Sequence, residues 1–190
     1  MRTKARARTA RIGEAELIQV YTDGSSSYKD GNGAWAIIAS RPEGSGIVTA
    51  ERFGFLPVAT NITAELTAIL RAFEFIRPAK DRSLTIITDS EFSIKALTMW
   101  YQAWALHGFV TSQGKPVANV ALLQQVHAAW QFHISEGTWV TFKHVRGHTG
   151  VAGNERADTL AGESRRTKTT RWRLGEDDKI HWNGSTYQSK

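Results

Sequence analysis

Ile62, Leu66, Ile69, Leu70, Phe73 and Ile76 recur at intervals of three and four, in a chain whose flanking apolar runs have the character of strands. This change of period constrains the fold more than any other feature, because one helix interposed between strands requires a mixed α/β layer structure. Before it, residues 16–23 read as a strand ending on Asp23, followed by the turn Gly24-Ser25-Ser26-Ser27. Residues 33–39 and 47–55 read as two more strands, joined through turn residues around Pro42-Glu43-Gly44, and their close spacing predicts an antiparallel meander. The helix is expected to be capped near Thr60 or Asn61 and stopped by Pro78. After it come a strand over 84–89 that ends on Asp89, helical patterns from about Ser90 to His107 and from Asn119 to Ser135, a strand over 138–145, and a polar helix over 151–162. There is no internal repeat.

Length and charge refine this outline. A chain of 190 residues fits one domain of ordinary size with something to spare, and 41% hydrophobic content with seven Trp and eight Phe is enough to bury a core. The absence of cysteine excludes disulfides and thiolate-bound zinc. No run approaches the roughly 20 apolar residues of a membrane span, and the Arg-rich N-terminus has no apolar signal region, so a soluble, cytoplasmic protein with no membrane partner is expected, with monomer as the default. The net charge of +6 is unevenly placed: residues 1–11 carry +5 and residues 163–190 carry +3, which leaves −2 for residues 12–162. The expected organisation is a basic arm over 1–15, a domain over 16–162, and a basic extension over 163–190. In that extension Gly175 and Gly184 suggest a hairpin, and Trp172 and Trp182 could stack on bases or pack against the domain. The arm is either a solvated tail or a nucleic-acid contact. An acidic middle would repel phosphate, which points to bound cations.

Asp23 and Asp89 close two strands, where open α/β sheets place their sites. Glu65 lies one turn into the first helix with Asn61 four residues before it on the same face, and Asp158 has the same relation to Asn154 in the last helix. Taken singly, each has an ordinary explanation: a turn former, a cap, an exposed helix charge, or, for His148 between Gly147 and Thr149, a surface histidine. Four carboxylates converging without basic partners would have raised pKa values or bind cations, and hard oxygen ligands favour Mg²⁺ or Mn²⁺.

Taken together, Tyr21-Thr22-Asp23-Gly24-Ser25, Asn61-Ile62-Thr63-Ala64-Glu65-Leu66, Thr88-Asp89-Ser90, Val145-Arg146-Gly147-His148-Thr149-Gly150 and Asn154-Glu155-Arg156-Ala157-Asp158 resemble the ordered signatures of type 1 ribonuclease H. The resemblance covers about residues 16–162. It implies a ribonuclease H-like fold: a five-stranded mixed sheet in the order 3-2-1-4-5, its first three strands antiparallel, with helices on both faces. It also implies an endonuclease that cuts the RNA strand of RNA–DNA hybrids, leaving 5′-phosphate and 3′-hydroxyl ends. Asp23, Glu65, Asp89 and Asp158 would hold two Mg²⁺ about 4 Å apart, for which Mn²⁺ could substitute. His148 would assist proton transfer or product departure, and Asn154 would orient a metal ligand or the substrate. Gly24, Ser25, Asn61 and Glu65 would touch RNA near the cut, and Thr60 would grip a DNA phosphate. Trp100 and Trp104 match aromatic positions that shape a groove for the DNA strand, although at this helical spacing they serve equally well as core. Recognition would rest on groove shape and the 2′-hydroxyl.

The sequence departs from that pattern in places. Residues 105–118, where the family has a Lys- and Arg-rich handle, retain only Lys115 and His107 as potential cations. Lys29 and Asp30 stand where an Asn-Pro pair is usual, and Ile62 where Asn is common in bacterial members. The basic arm, together with Arg165, Arg166, Lys168, Arg171 and Arg173, is expected to supply the missing positive charge. Two other functions share this fold: a non-catalytic hybrid-binding module, which would have no use for four acids facing phosphate, and a nuclease of the transposase or resolvase type.

Overall fold

The computed structural model describes residues 16–43 and 46–172. The basic arm, and the extension beyond Trp172 with Trp182, fall outside the described residues. Three long strands come first: β1 (Glu16–Ser26), β2 (Gly33–Glu43) and β3 (Gly46–Leu56). Then follow α1 (Asn61–Phe75), β4 (Arg82–Thr88), α2 (Glu91–Lys95), a π-helical turn (Ala96–Trp100), α3 (Tyr101–Leu106), α4 (Val120–Ser135), β5 (Trp139–His144) and α5 (Ala152–Thr167).

The five strands form one sheet in the order β3-β2-β1-β4-β5. β1, β2 and β3 pair antiparallel, and β4 and β5 run parallel to β1. α1 makes the long connection from β3, at one edge of the sheet, to β4, which pairs parallel with β1. β1 extends beyond the expected end at Asp23: it stays paired to β2 as far as Ser26↔Gly33, while its register with β4 stops at Tyr21↔Ile87. The carboxylate expected to close the strand therefore lies where the parallel half of the pairing ends and the antiparallel half continues. The turn falls over 27–32, where Ser27 N–H donates to Asn32 O and Gly31 N–H to Ser27 O.

Alternation along the strands gives the sheet two different faces. Ile18, Val20, Ile37, Leu84 and Ile86 are buried against Leu66, Ile69 and Phe73 of α1 and Leu123 and Val126 of α4. The opposite face is small-featured: Ala36 and Ile38 meet Ala157, Leu160 and Ala161 of α5, with Tyr21 and Phe53 at its edge. α5 comes so close that a Cβ at Gly153 would lie 2.3 Å from the Tyr21 ring.

Two helices differ from their sequence patterns. The run over 90–107 is broken by the π-helical turn, which one extra residue per turn creates without interrupting the apolar spacing of Ala96, Leu97 and Trp100. α5 does not stop at Gly162 but runs to Thr167, so the division expected at residue 162 falls inside a helix. Its last turns are polar and carry Arg165 and Arg166, a stretch with too little apolar period to be read as helix. Beyond it the chain returns to the sheet: Phe53 and Arg171 exchange backbone hydrogen bonds of 3.2 and 2.9 Å, and Thr170 Oγ1 accepts from Phe55 N–H. Trp172 then packs edge-on against Trp35 at 5.3 Å, with Phe75 and the Arg71 guanidinium beside it, so of its two readings the structure takes packing. Among the described residues no helix is long and apolar enough to cross a membrane.

Candidate active site

Parallel pairing positions the first two acids. Continuing the register two residues past Tyr21↔Ile87 brings Asp23 alongside Asp89 at the carboxyl ends of β1 and β4. α1 supplies the third: Thr60 caps it, its Oγ1 accepting from Thr63 N–H at 3.2 Å while Thr63 Oγ1 accepts from Thr60 N–H at 2.7 Å. This fixes the helix start and brings Glu65, one turn in, over the end of β1. The approach is tight: a Cβ on Gly24 would stand 2.3 Å from Glu65 N. One carboxylate oxygen from each of Asp23, Glu65 and Asp89 can be chosen so that all lie within 4.8 Å of one another.

Burial and mutual repulsion govern the charges there. Desolvation first, then the Asp89 and Asp158 carboxylates, push the Asp23 carboxyl up to about 7. Glu65 is pushed well above the usual carboxylate range by burial and by Asp23 and Asp89. A hydrogen bond between the two side chains favours charge on Asp23 and a proton on Glu65, while Gly24 N–H donates to both. Among the described residues no Lys or Arg forms an ion pair with Asp23, Glu65 or Asp89. Glu65 Oε2 is buried with no protein partner. Three carboxylates, Asp23 buried and Glu65 and Asp89 half-buried, with no cationic partner among the described residues, offer the hard oxygen ligands of a divalent cation, and these residues fit one.

Asp158 stands apart from that trio. Its carboxylate raises the Asp23 pKa through space, yet its side chain is 48% exposed and faces His148, with Oδ2 3.8 Å from Nδ1. His148 holds a left-handed backbone at φ 55° and projects into solvent from the β5–α5 loop. Asn154 is buried at the start of α5, and its Nδ2 donates to Asp89 Oδ2 at 3.3 Å. Asp89 is confined further by His144, whose Nε2 lies 3.1 Å from the Asp89 carbonyl, and by Gly147, where a Cβ would lie 2.7 Å from Asp89 Oδ2.

The remaining expected residues divide in two. Ser25 and Asn61 border the acids along β1 and α1: Ser25 Oγ accepts from Arg165 Nε at 3.1 Å, and Ser26 Oγ donates to Asn61 Oδ1 at 2.5 Å. Trp100, Trp104 and Lys115 belong to the segment built on α3. Trp100 and Trp104 pack at 5.6 Å, with Phe92 5.7 Å from Trp100, and both are half-buried against the main core, so their packing role is real. Lys115 is exposed in a small loop held by the Thr111 N–H to Lys115 O bond. Ser26, His144, Gly147 and Arg165 were not singled out as site neighbours from the sequence. For Arg165 the signal is its seven-residue offset from Asp158 on one helix face, which the polar, aperiodic end of α5 conceals in the sequence.

A family model described as RNase H matches residues 15–166. The Ribonuclease H of Cyanothece sp. (strain PCC 7425 / ATCC 29141) is 37% identical over 147 residues, covering 77% of this chain and 88% of the relative. That of Polaromonas sp. (strain JS666 / ATCC BAA-500) is 35% identical, covering 77% and 86%. Among solved structures, LC9-RNase H1, a type 1 RNase H with the type 2 active-site motif, superposes with a TM-score of 0.70 at 26% identity, over 83% of this chain and 76% of that one. The foamy viral protease-reverse transcriptase in complex with RNA/DNA hybrid has a TM-score of 0.60 at 16% identity, over 88% of this chain and 22% of its own, a likeness of fold alone.

Proposed function

This chain belongs to the ribonuclease H family and is an endonuclease acting on RNA–DNA hybrids, and from that premise we propose that Asp23, Glu65, Asp89 and Asp158 are its metal ligands and His148 its proton-handling residue. The family is metal-dependent, and the observation that carries the assignment is the cluster of Asp23, Glu65 and Asp89 within 4.8 Å with no cationic partner among the described residues. Asp23 is the innermost of them, 5% exposed and next to both Glu65 and Asp89, which suits it to serve two ions at once. Two Mg²⁺ held there would supply Lewis-acid activation of a water and neutralisation of charge on the scissile phosphate.

The chain's own residues do the rest. Asp89 is kept in one orientation by Asn154 and by the lack of a side chain at Gly147, so its oxygens are aimed before substrate arrives. Gly24, where a Cβ would stand 2.3 Å from Glu65 N, lets α1 lie against the end of β1, so that the Asp23 and Glu65 carboxylates meet. The Ser26–Asn61 bond holds the Asn61 amide at the edge of the site, where its free NH₂ can donate to ribose of the RNA strand. His148 lies within reach of Asp158 and of solvent, so it can take a proton from the site or return one to the departing 3′-oxygen and then exchange it with bulk water. Thr60, Trp100, Trp104 and Lys115 belong to the DNA-strand side in this reading.

The test is to incubate labelled RNA–DNA hybrid, RNA duplex and DNA duplex with Mg²⁺. Cleavage confined to the RNA strand of the hybrid, lost in Asp23→Asn while hybrid binding persists, is the expected outcome. Full activity in Asp23→Asn would refute the metal assignment.

A further inference from the structure

Building on that cleavage site, we propose that Arg165 grips a backbone phosphate of the RNA strand beside the cut, and so supplies a positioning contact that the charge-poor segment over 105–118 does not. Three observations converge on it. Arg165 follows Asp158 by seven residues in α5, two turns along the same face, so the surface that presents Asp158 to the site continues directly to this guanidinium. Its Nε donates to Ser25 Oγ at 3.1 Å, which anchors it two residues past Asp23, about 6.6 Å along a strand that rises ~3.3 Å per residue. It forms no ion pair with any carboxylate among the described residues, in contrast to Arg82 with Glu16 and Arg156 with Glu51.

A guanidinium held by Nε keeps both terminal NH₂ groups free, and that planar fork matches two oxygens of one phosphate. A cation held on the helix face of Asp158 and bonded to Ser25, yet in no ion pair among the described residues, is available to an incoming anion. If the scissile phosphate of the RNA strand sits at Asp23, as the cleavage reading requires, the same strand would run next to Ser25, two residues along β1, where Arg165 is held. The other basic residues of this region are placed differently. Arg166 donates through Nε to Gly162 O on its own helix, and the Arg171 backbone is bonded to β3.

The experiment compares wild type with Arg165→Ala, Arg165→Lys and the charge-matched control Lys80→Ala, at the opposite end of β4 from Asp89. Hybrid binding is measured by fluorescence anisotropy and cleavage by steady-state kinetics across a salt series. Arg165→Ala should raise KM and Kd roughly five- to tenfold with kcat within about twofold, and should flatten the slope of log affinity against log salt by about 0.7–0.9, the value of one phosphate contact. Arg165→Lys should restore the salt slope but only part of the affinity, and Lys80→Ala should change neither. On a hybrid with one neutral methylphosphonate linkage next to the cut in the RNA strand, the Arg165→Ala penalty should disappear. Wild-type KM, Kd and salt slope in Arg165→Ala would overturn the proposal, as would a penalty abolished only by neutral linkages in the DNA strand. Failure of the cleavage reading shows separately, as wild type that binds hybrid without cutting it, and the binding series then still decides Arg165.

Discussion

The amide of Asn154 donates to Asp89 Oδ2 across 3.3 Å, joining the first turn of α5 to the end of β4. His144 Nε2, 3.1 Å from the Asp89 backbone carbonyl, holds the main chain of the same residue, while Asn154 holds its carboxylate. Partners of this kind are worth roughly 10- to 100-fold in metal affinity or activity. Asn154→Ala should raise the Mg²⁺ concentration needed for half-maximal cleavage by about tenfold or more, read from a metal titration at saturating hybrid. An unchanged titration midpoint would show that Asn154 serves the helix start and not the ligand.

The space at Gly147 is a second device acting on the same group. A methyl there would stand 2.7 Å from Asp89 Oδ2 and must displace it. Because a shift of about 1 Å in a reacting constellation costs on the order of 10²-fold, Gly147→Ala should lower kcat by about that factor while leaving the thermal midpoint within a few degrees. Near-normal kcat would mean that the loop yields instead of the carboxylate.

Asp23 makes stability depend on pH in an unusual direction. Its folded pKa, about 7, lies above the ordinary 3.8, so between those values the folded protein binds more protons than the unfolded chain. The corresponding stabilisation is complete below about pH 4 and is lost as pH rises through about 7, to the extent of a few kcal/mol. In EDTA, Asp23→Asn should therefore be more stable than wild type at pH 8 and should lose this pH dependence, measured by urea denaturation. Mg²⁺ should stabilise wild type at pH 8 far more than at pH 5, because protons compete for the same oxygens. Equal stability of the two proteins at pH 8 would contradict the buried, mutually repelling acids.

Trp172 ties the end of the described chain to the sheet through Trp35, Phe75 and Arg71. The ring is only half-buried, so Trp172→Ala should cost about 1–3 kcal/mol, less than a fully buried aromatic. Denaturant unfolding reads this directly, and an unchanged midpoint would assign the cluster to crowding without stabilisation.

The basic arm carries +5 in eleven residues. Its removal should raise KM and flatten the salt dependence of cleavage with kcat little changed, as expected for contacts made through counterion release. Salt dependence identical to that of the full chain would leave the arm without a role in binding.

Much of this site was legible in the residues because its signals are local. Asn61 and Glu65, or Asn154 and Asp158, share a helix face by spacing alone, and Asp23 and Asp89 are marked by the polar break that follows an apolar run. The α1 period and its Thr60 cap were readable for the same reason. What escaped was written in weaker or longer-range signals: the polar end of α5, the π-helical turn hidden under a continuous apolar pattern, and the continuation of β1 to Ser26, which only the β2 partner sustains.

The sequence by itself determined the candidate acids and the faces and strand ends that carry them, the order of strands and helices along the chain, and the placing of its positive charge at the two ends. Only the tertiary structure decided that Asp23 and Asp89 stand side by side across a parallel pairing, that Asp158 is set outside the tight trio, and that Arg165 is tied to Ser25. The reason is physical: helix faces and strand ends follow from residues a few positions apart, whereas contacts 66 or 140 positions apart, and the desolvation that raises the pKa values of Asp23 and Glu65, exist only once the sheet and its helices have closed around them.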